Sequence, residues 1–228
     1  LHFRQTYAVA TVTSAFVGRT AELQAIEEVL DSINQGPAAC VFYGDAGIGK
    51  TTLWRAALTR AEERGYNVLA CRPADAEARL SYSSIADLLA PINDRVFATL
   101  PTPQREALDA VMLREATSKG MVDPRAVASA MLNVLRALAA KAPVVVGIDD
   151  FQWLDRTSAQ AISFAVRRIE GPFGLVAAVR SANVNQYPIR LAHDENVRRV
   201  KVGPLTEASL HEVVRLRTGR SLSRPVMS

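Results

Sequence analysis

A chain of 228 residues, 49% apolar and 22% charged, can bury one sizeable core and reads as a globular chain of one domain with room for an appendage. No apolar run approaches the ~20 residues of a membrane span and no cationic-then-apolar leader opens the chain, which argues against membrane insertion and secretion and for the cytoplasm. The formal charge of +4 is scattered, with only Arg167-Arg168 and Arg198-Arg199 adjacent, so no basic stripe marks a nucleic-acid surface and direct binding of nucleic acid is not expected.

Residues 1–15 carry neither an initiator methionine nor an amphipathic period and read as an arm or linker, the cut start of a longer chain. Phe16-Val17-Gly18-Arg19 follows. Thr20 is then a candidate cap for a helix through Asn34, with Leu23, Ile26, Leu30 and Ile33 on one face and Gly36-Pro37 as its stop. Ala39 to Tyr43 is the first of five strand-like runs; the others are Asn67 to Arg72, Val144 to Ile148, Leu175 to Val179 and Val197 to Val202. A helical period, Leu53, Ala57, Leu58 and Ala61, separates the first two runs.

From Ala74 to Lys141 two or three helices stand where a compact crossover needs one, punctuated by Pro91, Pro101 and Pro103. One opens at Thr102-Pro103 and another at Asp123-Pro124, whose Val127, Met131, Leu135 and Leu138 repeat at helical spacing. This stretch is expected to be a helical insertion on one sheet edge, with Asp75, Glu77 and Arg79 in a solvated loop at its start. Thr157 is a candidate cap for a further helix with Ile162, Ala165, Val166 and Ile169 inward, and the polar end from Arg220 to Ser228 cuts off a helical pattern. Alternating strands and helices predict an α/β fold, a five-stranded parallel sheet flanked by helices plus the helical insertion, and the loop Gly44 to Thr52 after the first run makes it a P-loop NTPase fold (ASCE/AAA-like). Cys40 and Cys71 lie in apolar runs and read as buried thiols, while His2, His193 and His211 share no metal-ligand spacing.

The chemistry sits at the ends of the runs. Gly44-Asp45-Ala46-Gly47-Ile48-Gly49-Lys50-Thr51-Thr52 follows the first strand and opens a helix, the context of a phosphate-binding P-loop. Its glycines let successive backbone N–H groups converge, and the helix that follows adds about half a positive charge at the same point. Lys50 is placed on the β- and γ-phosphates of ATP, the Thr51 hydroxyl on Mg²⁺, and Thr52 in packing. Val144 to Ile148, expected beside the P-loop strand, ends in Asp149 and Asp150: the first is placed on Mg²⁺, the second as the base that orients the attacking water. An aspartate base reaches about a bond length less far than a glutamate, and misplacement by about 1 Å costs on the order of a hundredfold, so slow turnover is expected. Asp155 is a candidate tether for the following loop. Arg180, at the end of the fourth run, offers a planar fork of donors near the γ-phosphate, whereas Arg167 and Arg168 read as a solvated helix end.

With Phe16-Val17-Gly18-Arg19, the GDAGIGKTT loop, the IDDFQWLD segment and VRS at Arg180, nearly the whole chain after Ala15 resembles the STAND ATPases, and among them the large ATP-binding LuxR-type transcriptional regulators. The resemblance implies that Val17, Gly18 and Arg19 border the adenine of ATP or ADP, and that Lys50, Thr51, Asp149, Asp150 and Arg180 carry the phosphate and metal chemistry. It implies an ATPase core over 16–203. The start of a helical lid over 204–228 opens at Val202-Gly203-Pro204-Leu205-Thr206, with Leu210, Val213 and Val214 on its first helix. The function it implies is an ATP-binding, slowly hydrolysing switch domain of a bacterial transcriptional regulator. Such a chain continues into a lid, a winged helix, sensor repeats and a DNA-binding helix-turn-helix, and self-association stays open. Arg and Ala outweigh Lys, which stands only at Lys50, Lys119, Lys141 and Lys201, a bias associated with GC-rich bacterial genomes. Two rivals remain: an ADP-holding scaffold without turnover, and an AAA+ ATPase acting directly on DNA.

Overall fold

The computed structural model describes residues 16–113, 122–180 and 196–218; the expected arm over 1–15, His2, His193, Ser181 of the VRS motif and the tail after 218 lie outside them. Five strands form one sheet: β1 (Ala38–Gly44), β2 (Asn67–Cys71), β3 (Val144–Ile148), β4 (Phe173–Arg180) and β5 (Val197–Lys201). Their order is β2-β3-β4-β1-β5 and every neighbouring pair is parallel. The inner strands β1, β3 and β4 read as near-continuous apolar runs because helices cover both faces of the sheet there, whereas the edge strand β5 carries exposed Arg198, Arg199 and Lys201. One correction concerns β3, which does not lie beside β1: β4 is interposed between them. Strand order is a long-range property, and a local apolar run ending in Asp-Asp carries no record of its neighbour.

Alternation along each strand sorts the core. Cys40, Phe42, Val145, Val176 and Ala178 face α1 (Thr20–Ser32) and α2 (Lys50–Glu63). Val41, Val144, Val146, Ile148, Leu175 and Ala177 face the opposite helices. These are α3 (Ser83–Leu89), α5 (Thr102–Val111), α6 (Pro124–Ala139) and α7 (Arg156–Val166), with the single turn α4 (Asp94–Phe97) beside them. The stretch from Ala74 to Lys141 therefore holds four helices among the described residues rather than two or three, and α3 packs on the edge strand β2. Asp75–Glu77 form a short 3-10 turn that is exposed, in keeping with a solvated loop. The last helix, α8 (Glu207–Thr218), is only lightly covered. No helix among the described residues is long and apolar enough to cross a membrane.

Helix ends follow the strength of the available acceptor. Asp123 caps α6 by accepting from the Arg125 N–H, as its position before Pro124 predicts. The cap of α7 is Asp155, which accepts from the Ser158 N–H at 2.8 Å, and not Thr157. A carboxylate outcompetes a hydroxyl for the positive end of a helix. Nor does Thr20 cap α1: Arg19 takes that position without a side-chain cap, and the helix ends at Ser32, tightening into a 3-10 turn over Ile33–Gln35.

Gly147 sets how closely α2 lies on β3. A Cβ there would stand 2.8 Å from both terminal carbons of Leu58 and 3.2 Å from the Trp54 indole nitrogen, so a side chain would lift α2 off the sheet. Cys40 and Cys71 are buried; burial pushes the Cys40 thiol up to about 12 and the Cys71 thiol up as well, which keeps both protonated and unreactive.

Candidate functional site

Parallel pairing brings the carboxyl ends of β1, β3 and β4 to one rim of the sheet: Gly44 stands opposite Arg180, and Ile148 opposite Ala177. Beyond Gly44 the chain turns through Gly47 (φ 73°) and Gly49 (φ 107°), both left-handed, and Gly49 is the N-cap of α2. A residue with a Cβ pays for φ values of this kind, so the glycines are what allow the loop to fold back over its own strand. Gly47, Gly49, Lys50, Thr51, Thr52, Asp150 and Arg180 line a cleft of about 210 Å³ at this rim. The cleft is therefore built from the helix N-terminus and the two strand tips, a geometry suited to an anion.

Lys50 is buried, and its ammonium donates to the carbonyls of Gly44 at 2.9 Å and Asp45 at 2.6 Å, closing the loop. Burial lowers its pKa; the carboxylates of Asp150, Asp149 and Asp45 oppose that shift and Arg180 adds to it. Thr51 and Asp149, 98 residues apart in the chain, are brought together, with the Thr51 hydroxyl donating to Asp149 Oδ1 at 3.2 Å. Asp149 is 1% exposed. A hydroxyl and a carboxylate side by side are hard oxygen donors, and Mg²⁺ characteristically takes one or two protein oxygens and completes its shell with phosphate and water, so this pair fits the ion. Among the described residues no cluster of three or more His, Cys, Asp or Glu side chains forms a metal site of the all-protein kind.

Asp150 has left-handed backbone angles (φ 55°, ψ 50°) and begins a 3-10 turn over Phe151–Trp153. Its Oδ1 accepts from Arg180 Nε at 3.1 Å and from Gln152 Nε2 at 2.8 Å. Arg19 is buried behind the loop and does not line the cleft: it donates to Ile48 O and Gly203 O, each at 2.9 Å, and pairs with Glu22. Arg19 thus braces the phosphate loop against the segment leading to α8. A side chain at Gly18 would run into Ser209 of α8, and Val17 is half-buried beside it. Arg167 and Arg168 donate to carbonyls one turn back at the end of α7, with Arg168 over the Phe164 ring.

Two residues escaped the sequence reading. Arg72, one position past β2, donates from Nε to Asp149 Oδ2 at 3.2 Å, so both oxygens of Asp149 are engaged. Its signal was the basic residue closing the second strand-like run, legible only once β2 and β3 are known to be neighbours. The other is Gln152, whose Oε1 accepts from the Arg180 N–H at 3.0 Å. Asp155 holds more than a loop: its carboxylate accepts from the N–H groups of Tyr82, Ser84 and Ser158 and from the hydroxyls of Ser83 and Thr157, stitching α3 to α7.

Comparison with known proteins bears on the family. The family whose model matches is the AAA ATPase domain, over residues 15–177. ORC1 of Aeropyrum pernix, solved in complex with DNA, shares the fold with a TM-score of 0.54 and 18% identity, over 91% of this chain and 51% of that one. AMPPCP-bound DnaA of Aquifex aeolicus does so with a TM-score of 0.50 and 16% identity, over 92% and 54%. An uncharacterized protein of Rhizobium meliloti (strain 1021) is 27% identical over 215 residues, 82% of this chain and 21% of the relative. The chain thus spans about half the length of those solved structures and about a fifth of that relative.

These findings correct the resemblance to STAND ATPases and LuxR-type regulators, and with it the assignment to transcription regulation: the family match is to the AAA ATPase domain, and ORC1 and DnaA are among the solved structures that share the fold. The misassignment has a physical origin, since a phosphate loop, an Asp-Asp strand tip and a strand-end arginine are the shared equipment of this sheet and do not distinguish its branches. The expectation of no direct nucleic-acid contact is also withdrawn, because ORC1 is a protein of this fold seen on DNA. By the match over most of its length, the chain belongs to the AAA ATPase domain family.

Proposed function

We propose that this domain binds Mg²⁺-ATP in the cleft at the rim of the sheet and hydrolyses it slowly, with 16–203 as the ATPase core and 204–228 as the start of a helical lid, in the cytoplasm. The observation that carries the reading is the meeting of Thr51 with Asp149, in a cleft that Lys50, Asp150 and Arg180 also line. Thr51 and Asp149 hold Mg²⁺, which supplies charge neutralisation across the phosphate oxygens when bound. Lys50 exchanges its loop carbonyls for phosphate oxygens, Arg180 leaves Asp150 to meet the charge on the transferring group, and Asp150 accepts a proton from the attacking water. Val17, Gly18 and Arg19 border the base, with Arg19 acting as the brace that keeps Ile48 and Gly203 together. Asp150→Asn is expected to lower phosphate release by at least about a hundredfold, within the range of general-base loss, while ATP binding persists. Equal background phosphate release by wild type and Asp150→Asn would favour an ADP-holding scaffold without turnover, and a rate above background that Asp150→Asn retains in full would sink the assignment of the base.

Direct action on DNA is the second part of the proposal, supported by the structure of ORC1 in complex with DNA and by exposed Arg199 and Lys201 on the edge strand β5. Each phosphate neutralised contributes about 0.9 to the slope of log affinity against log salt. A duplex titration across salt concentrations is expected to lose about two units of slope in the Arg199→Ala/Lys201→Ala variant. Absence of DNA binding by the wild type at low salt removes this part of the reading.

A further inference from the structure

We infer that Gln152 is a positioning residue for hydrolysis, acting through Asp150 and Arg180; the inference rests on the roles proposed for those two. Three hydrogen bonds close a ring. Gln152 Nε2 donates to Asp150 Oδ1 at 2.8 Å, Arg180 Nε donates to the same oxygen at 3.1 Å, and the Arg180 N–H donates to Gln152 Oε1 at 3.0 Å. The orientation of the amide follows from its partners: turned over, it would set its oxygen against a carboxylate and its NH₂ against an N–H. Gln152 does not itself line the cleft, which Asp150 and Arg180 do.

The ring has work to do because Asp150 has a left-handed backbone, a conformation that persists for a non-glycine residue only where its surroundings hold it. Arg180 can hold Asp150 only until a γ-phosphate draws its guanidinium away. At that moment Gln152 is the remaining donor to Oδ1, keeping the carboxylate aimed so that Oδ2 takes the proton from water. The same amide, through Oε1, pins the Arg180 backbone so that the side chain swings from a fixed point. A side chain at this position must offer one donor and one acceptor at glutamine's length: glutamate keeps the acceptor for Arg180 but loses the donor to Asp150, and methionine loses both.

The test measures ATP hydrolysis, ATP affinity by titration and melting temperature for Gln152→Met and Gln152→Glu, each also made in an Asp150→Asn background. Both single variants are expected to lose about 10- to 100-fold in kcat, the scale of an ångström-sized misplacement, with KM, ATP affinity and melting temperature within experimental spread of wild type. In the Asp150→Asn background Gln152→Glu, which keeps the acceptor for Arg180, is expected to cost nothing further, since the group through which its lost donor acts is gone, whereas Gln152→Met keeps only the smaller loss that acts through Arg180. A normal kcat in Gln152→Met and Gln152→Glu beside a crippled Asp150→Asn overturns this inference alone. A loss of the same size in both backgrounds, or one tracked by a fall in melting temperature, shows Gln152 to be merely structural. Wild-type turnover by Asp150→Asn sinks the base assignment first and this inference with it.

Discussion

Lys50→Met is expected to abolish the thermal response to nucleotide while leaving the nucleotide-free domain as stable as before. At a hundred times its dissociation constant, Mg²⁺-ATP stabilises the wild type by about 2.7 kcal/mol, which in a domain of this size raises the melting temperature by about 5–10 °C. Lys50 is the buried cation at the mouth of the phosphate loop, and its ammonium is held by two neutral carbonyls, Gly44 O and Asp45 O. Burial already lowers its pKa, so the charged form is costly in the absence of a polyphosphate. Methionine keeps the length and the apolar stem and removes that cost, which offsets the loss of the bonds to the two carbonyls. Melting curves with and without Mg²⁺-ATP decide the matter: an undiminished shift in the variant would dissociate Lys50 from nucleotide binding.

Asp155→Ala is expected to cost about 3–5 kcal/mol of stability, the largest effect of any single substitution considered, because several buried donors lose their partner at once. The amides of Tyr82, Ser84 and Ser158 turn to this one carboxylate, as do the hydroxyls of Ser83 and Thr157, and Asp155 is 2% exposed. Tyr82 itself has a left-handed backbone (φ 63°) that the Asp155 bond helps to hold. Burial pushes the Asp155 pKa up, but the hydrogen bonds from Ser158, Thr157 and Ser84 outweigh it and hold the carboxyl below its usual range. The sign of the pH dependence follows: the unfolded chain binds this proton more readily than the folded one, so stability rises with pH in that region. The contribution is complete above the unfolded value of about 3.9 and disappears as pH falls through the lower folded value. Urea unfolding from pH 6 downwards is expected to show the gap between wild type and Asp155→Ala narrowing below about pH 4. A gap that stays constant into strong acid would mean that packing, and not the carboxylate, joins α3 to α7.

What could be read from the chain alone were the features written locally. The five runs became the five strands within one or two residues, and the inner ones stood out because a strand covered on both faces must be apolar throughout, as Val144 to Ile148 is. The loop from Gly44 to Thr52 was legible for a similar reason: turn, anion cradle and helix start lie within nine consecutive residues. Helix caps were less legible, since Thr157 and Asp155 are both competent acceptors two residues apart and only the buried donors on α3 give the carboxylate its full set of partners.

By itself, then, the sequence determined the fold class, the phosphate loop and the acidic strand tip, because each depends on residue types at short fixed spacings. The tertiary structure alone decided that β4 separates β1 from β3, that α2 lies close enough over Gly147 for Thr51 to meet Asp149, and that Arg72 and Gln152 join the same rim. Those are contacts between segments tens of residues apart, and they follow from the order in which the strands pair and the closeness with which a helix packs, neither of which leaves a local mark in the chain.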